Sequence, residues 1–157
     1  MIVVIGSPWC LRAPEGSEAA GRAMAIAVAA ARAGASVQLV GKVGDDAAGE
    51  AVVLSLGRSG VGHAALQRVA GLETPVVDAE PFGDEEGSAS PIRPIPTMPL
   101  EPADLDLALR YLTDFAVVVV SEPLTPSGWR PVVEAVGWTG ARLIAVVDGG
   151  AAPPALP

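Results

Sequence analysis

The chain is poor in cysteine and positive charge, and each shortage closes off a class of function. A single cysteine, Cys10, excludes an internal disulfide and a cysteine-ligated zinc site. Lysine and arginine number 10 against 18 aspartates and glutamates, a net charge of −8. So few cations, scattered along the chain, cannot neutralise a run of phosphates, so neither nucleic acid nor an anionic membrane surface is an expected partner. The one histidine, His63, has no evident acid or metal-ligating partner and reads as a strand or loop residue. No apolar run approaches the ~20 residues a membrane-spanning helix requires. The opening "MIVVIGSPWC" has a short apolar run and no basic flank, so a signal peptide is not expected, and the expected location is cytoplasmic.

What is present is a globular composition. Half of the 157 residues are hydrophobic and 18% are charged, enough for one domain with a buried core. Four apolar runs recur, "IVVI" at 2–5, "VQLV" at 37–40, "FAVVVV" at 115–120 and "RLIAVV" at 142–147. They are β-branched and nearly continuous, the pattern of strands buried on both faces. Helical patterns separate them, which predicts a mainly parallel sheet with helices on both faces. The first helix is expected over Ser17 to Ala33, stopped by Gly34, and the second over Asp46 to Arg58, with Asp45 or Asp46 capping it and Gly60 ending it. "EPADLDLALRYL" carries Pro102 in its first turn and Leu105, Ala108, Leu109 and Leu112 on one face. "TPSGWRPVVEAV" starts a fourth helix with Thr125 as cap and Pro126 behind it.

Residues 63–98 are short, proline-broken segments, read as edge strands with a hairpin standing off the main sheet around the turn "FGDEEGS". Asp84, Glu85 and Glu86 belong to that solvated turn. Residues 151–157 form a Pro/Ala tail without periodicity, expected to be loose, behind a single domain over 1–150.

"AIAVAAARAGASVQLVGKVGDDAAGEAVVLSLGRSGV", residues 25–61, resembles the N-terminal signature of the PfkB (ribokinase-like) carbohydrate kinases. That signature is an alanine-rich helix, a strand, Gly-x-Val-Gly-x-Asp-x-x-Gly, a helix and Gly-Val. Gly41, Val43, Gly44, Asp46, Gly49, Gly60 and Val61 all match it. "MIVVIGS" looks like the family's first strand, and "FAVVVVSE" like a later strand ending in a substrate-facing glutamate, here Glu122. The resemblance implies a ribokinase-like α/β fold, ATP and magnesium as cofactors of the full-length family, and a sugar or nucleoside as substrate.

The departures carry as much weight as the matches. Leu11 stands where the family has a sugar-binding aspartate, and Ala20 to Ala25 where it has Gly-Gly-Lys-Gly-Ala-Asn, so Gly21 and Arg22 alone retain that motif's character. Asp148 begins the family's Asp-x-Asn-x-Arg stretch, but Gly150 and Ala152 replace its other polar residues. The segment from Gly6 to Ala20 looks too short for the family's lid strands. No Gly-Ala-Gly-Asp motif, which holds the family's catalytic base and anion hole, occurs in the 157 residues. The C-terminal nucleotide-binding half is therefore expected to be absent and the domain truncated. Nor is there a Gly-x-x-x-x-Gly-Lys-Ser/Thr loop to cradle a nucleotide, and Lys42 within the signature does not make one.

No catalytic residue, metal site or cofactor is therefore expected for this chain alone. Gly21, Arg22, Glu122 and Asp148 are the candidate substrate-binding residues, Glu122 foremost because ligands bind at the carboxyl ends of open parallel sheets. The glycines and Asp46 of "GKVGDDAAG" read as turn and cap. Trp9, Trp129 and Trp138 read as core or interface packing, and Cys10 as a packing residue. The expected function is that of a non-catalytic relative of carbohydrate kinases that binds a small molecule (a sugar, nucleoside or sugar phosphate) or acts in regulation. The alternatives are an interaction module, homodimeric through an uncovered sheet edge or helix face, and a kinase completed by a partner chain.

Overall fold

A computed structural model describes residues 1–79, 98–146 and 148. In chain order the elements are β1 (Ile2–Ile5), β2 (Trp9–Ala13), β3 (Gly16–Ala20), α1 (Arg22–Arg32), β4 (Val37–Gly44), α2 (Ala47–Arg58), β5 (Leu66–Val69), β6 (Val76–Asp78), α3 (Pro102–Tyr111), β7 (Val117–Val120), α4 (Pro126–Thr139) and β8 (Arg142–Ala145).

Five strands form one sheet in the order β5-β4-β1-β7-β8, every pairing parallel. The N-terminal strand is its centre: Ile2 to Ile5 pair with Val37 to Val40 on one side and Val117 to Val120 on the other. Alternate residues of β1 point into different cores. Val3 and Ile5 join Leu105, Leu109, Phe115 and Trp129 beneath α3 and α4. Val4 joins Ala27, Leu39, Val52 and Leu56 beneath α1 and α2. The central strands β1, β4 and β7 are thus buried on both faces, as their unbroken apolar runs predict, whereas β8 at the edge is largely exposed despite its apolar run. Cys10 packs into the second core, with 1% of its surface exposed.

Capping fixes the helix ends. Asp46 accepts from Gly49 N at 2.7 Å to start α2, and Thr125 accepts from Gly128 N at 3.1 Å to start α4, with Pro126 behind it. Glu101 and Asp104 form a capping box at α3. Gly34 and Gly60 follow α1 and α2 with φ of 89° and 71°, as stop signals require.

The second sheet corrects two expectations. Its order is β3-β2-β6, with β2 and β3 antiparallel and β2 and β6 parallel. The stretch from Gly6 to Ala20 is therefore not too short for strands, since it holds a complete hairpin. Residues 17–20 belong to β3, and α1 begins only at Arg22. Their alanine-rich composition favours a helix, but Gly21 at φ 109° separates strand from helix. Residues 66–69 form the edge of the main sheet, as the edge-strand reading expects, Gly41 to Gly44 pairing with Leu66 to Val69. Val76–Asp78 adds to the small sheet, and the turn with Asp84, Glu85 and Glu86, like the tail at 151–157, lies outside the described residues. Among the described residues no helix is long and apolar enough to cross a membrane.

Candidate functional site

Strand order reverses beside β1: the chain builds outward through β4 and β5, then returns to add β7 and β8 on the opposite side. At such a switch point the loops leaving adjacent strands diverge and open a crevice at the carboxyl ends. A cleft of about 440 Å³ lies there, its walls supplied by the segments after β1 and β7, by the start of α1, by Trp9 of β2 and by Asp148.

The floor requires close backbone approach. A Cβ on Gly6 would run into the Ser121 hydroxyl and come within 3.0 Å of Ala23 Cβ. Ser121 donates through both its N–H and its hydroxyl to Ile5 O, each at 2.9 Å, locking the two loops together. Next to it, Glu122 Oε2 accepts from Ser7 N at 2.8 Å, while the Ser7 hydroxyl donates to Met98 O at 2.7 Å. Burial raises the Glu122 carboxyl above its ordinary pKa, against the opposing pull of the Ser7 N–H.

Arg22, at the first position of α1, reaches across the mouth. It forms an ion pair with Asp148 and donates to Val146 O at 3.1 Å. Gly21 precedes it because nothing else fits. Besides its positive φ, a Cβ there would lie 2.9 Å from Trp9 Nε1 and 3.0 Å from Trp9 Cδ1. The four residues singled out from sequence, Gly21, Arg22, Glu122 and Asp148, thus line one cleft. Ser7, Trp9, Ser121 and Pro123 share it without having been singled out. The serines and Pro123 immediately follow or flank strand ends, which is the signal that could have found them.

Trp9 departs from the packing role expected of the three tryptophans. Trp129 is fully buried in the core and Trp138 is 71% exposed on α4, whereas Trp9 is a half-buried wall of the cleft. Neither Leu11 nor Met24 fills the cleft. Leu11 pairs within the small sheet opposite Glu18 and Val77, and Met24 is buried in the second core. His63 is exposed in the turn before β5.

"GKVGDDAAG" holds the neighbouring structure together. Asp46 accepts from Gly49 N, from Thr74 N at 2.8 Å and from the Thr74 hydroxyl at 2.7 Å, while Thr74 Oγ1 accepts from Gly44 N at 2.8 Å. Desolvation pushes the Asp46 carboxyl up, but the hydrogen bonds from Gly49, Thr74 and Ala48 outweigh it and hold the pKa below its ordinary value. Lys42 forms an ion pair with Asp104 of α3, their side chains only 13% and 17% exposed, and is thus committed to joining β4 to that helix.

A magnesium nucleotide demands converging oxygen ligands and several free donors for its phosphates. Among the described residues no three His, Cys, Asp or Glu side chains converge on a metal site, and the cleft's guanidinium is engaged by Asp148.

Residues 15–138 match the pfkB family carbohydrate kinases, and the chain belongs to that family. Solved structures share its fold. An uncharacterized sugar kinase from Pyrococcus horikoshii, in complex with ATP, matches 92% of this chain and 52% of its own length, with a TM-score of 0.68 and 16% identity. Aminoimidazole riboside kinase from Salmonella enterica, complexed with aminoimidazole riboside and an ATP analog, matches 92% and 48%, with a TM-score of 0.63 and 18% identity. A PfkB protein from Polaromonas matches 92% and 54%, with a TM-score of 0.68 and 16% identity. The chain spans about half the length of these structures. No curated protein matches the sequence closely enough to serve as a relative.

Proposed function

We propose that this chain binds a small polyhydroxylated molecule, a sugar or nucleoside, in the cleft at the ends of β1 and β7, and that by itself it transfers no phosphate. The supporting observation is the half-buried Glu122 carboxylate, fixed by the Ser7 N–H in the same cleft as Gly21, Arg22 and Asp148. A carboxylate so held presents its remaining lone pairs as acceptors for hydroxyl groups. Phosphoryl transfer asks for more: two positioned substrates, compensation of phosphate charge and a base beside the attacking hydroxyl. General-base assistance alone supplies ~10²–10⁴-fold. The family's Gly-Ala-Gly-Asp base motif is not among the 157 residues.

Calorimetric titration with neutral sugars and nucleosides tests the binding claim, and Glu122→Ala should abolish the signal without unfolding the protein. Steady ATP consumption that rises with added carbohydrate, in material free of contaminating kinase, would refute the non-catalytic claim.

A second reading has its own support. Among the described residues β8 is an edge strand with a neighbour on one side only, and Ile144 and Val146 are 40% and 41% exposed there. Such an edge recruits another strand, so association with a second copy or a partner chain follows. Light scattering decides it: a monomer at high concentration rules out the homodimer.

A further inference from the structure

We propose that Trp9 is the specificity-determining residue of the cleft: an uncharged ligand ring lays its apolar face against the Trp9 indole while its hydroxyls reach Glu122. This rests on the binding role proposed above and names the ligand class.

Three observations carry it. Trp9 belongs to the small sheet, yet its side chain is half-buried and forms a wall of a cleft otherwise built at the end of the main sheet. An aromatic wall facing a few fixed polar groups is how sites recognise rings with one apolar face. The Nε1–Cδ1 edge of the indole also lies close against Gly21, where a Cβ would crowd it.

Charge supplies the third observation. The cleft is lined by one guanidinium and two carboxylates, and the guanidinium is engaged by Asp148 and by Val146 O. Glu122 therefore remains as a carboxylate without a cationic partner among the described residues. A phosphate on the ligand would meet this carboxylate, and would compete with Asp148 for the exposed Arg22 guanidinium. The cleft thus favours a neutral ring bearing hydroxyls over its phosphate ester. A free sugar and a nucleoside share that chemistry, the one offering a C–H face and the other a base.

The test is an indole N–H titration by two-dimensional NMR on the full chain, using ribose, adenosine and ribose 5-phosphate as probes. Three indole signals are expected from Trp9, Trp129 and Trp138, and Trp9→Phe identifies the first by deleting it. The Trp9 signal should shift with ribose or adenosine, whichever binds more tightly revealing which face the wall takes. Ribose 5-phosphate should bind about tenfold more weakly than ribose or not at all. Trp9→Phe should keep affinity within a few-fold, and Trp9→Ala should lose about tenfold with its fold intact by circular dichroism. Binding that depends on Glu122 but leaves the Trp9 signal unmoved overturns the Trp9 assignment while the binding role stands. That assignment is equally overturned if folded Trp9→Ala binds as wild type, or if the phosphate ester binds more tightly than its parent. If no probe binds at all, the binding role falls and this proposal with it.

Discussion

Asp46 and Thr74, 28 residues apart in sequence, grip each other through two hydrogen bonds: Asp46 Oδ2 accepts from Thr74 N at 2.8 Å and Oδ1 from Thr74 Oγ1 at 2.7 Å. One carboxylate thereby caps α2 and anchors the segment between β5 and β6. Removing it should cost more than a lost cap. We expect Asp46→Ala to destabilise by about 2–3 kcal/mol, since a cap is worth ~1 and the stranded Thr74 donors add to it. Thr74→Val, which leaves Gly44 N without its acceptor, should cost about 1–2 kcal/mol. Urea unfolding midpoints at neutral pH measure both, and a loss no larger than that of a surface cap would separate the two residues energetically.

The two perturbed carboxyls drive acid stability in opposite directions. The pKa of Asp46 is lowered in the fold, so its contribution is present above the unfolded value of about 3.8 and is lost as pH falls through the folded value. The pKa of Glu122 is raised, so its ionisation costs stability as pH climbs from the unfolded value near 4.5 through the folded one. Glu122→Gln should consequently stabilise the protein at pH 7 and lose that advantage near pH 4, whereas Asp46→Asn should flatten the loss on acidification. Denaturation series between pH 3 and pH 7 give the signs directly, and the opposite sign for either variant contradicts its assigned environment.

Gly49 offers a sharper test because local and tertiary effects disagree. Within α2, alanine should improve on glycine by up to ~1 kcal/mol. At this position a Cβ would press into the Gly44 carbonyl and lie 3.0 Å from Thr74 Oγ1. Gly49→Ala should therefore lower the melting temperature, while Gly57→Ala, whose Cβ meets nothing within 4 Å, should raise it. Thermal denaturation of the pair is a matched comparison.

Arg22→Ala should scarcely alter stability. Its pair with Asp148 is a surface contact, the side chains 41% and 86% exposed, and such pairs contribute ~0–1 kcal/mol. An unfolding midpoint shifted by much more would mean that the pair fastens α1 to the chain beyond β8.

Most of the main sheet was legible because its strands are continuous β-branched runs, a pattern only a two-sided core explains. The helices at 47–58, 102–111 and 126–139 announced themselves through Asp46, Pro102, Thr125 and Pro126. The hairpin at 9–20 did not. "GSEAA" has no alternation and favours a helix locally; it becomes a strand because Trp9 to Ala13 lie opposite it. In the cleft, Gly21, Arg22, Glu122 and Asp148 were found by matching a family pattern and by their strand-end or helix-start positions. Ser7 and Trp9 were not, because their neighbours Glu122 and Gly21 are brought to them only by the fold. Thr74 was missed for the same reason.

Residues 2–5 make the middle of the sheet. Ile2 to Ile5 wait for partners until Val37 to Val40 appear, and gain their second neighbours only when Val117 to Val120 are synthesised. Pairings so distant in sequence slow folding. During translation β1 therefore keeps one flank bare from the synthesis of β4 until that of β7, so a nascent-chain binder that reads apolar strands would find its target at Ile2–Ile5.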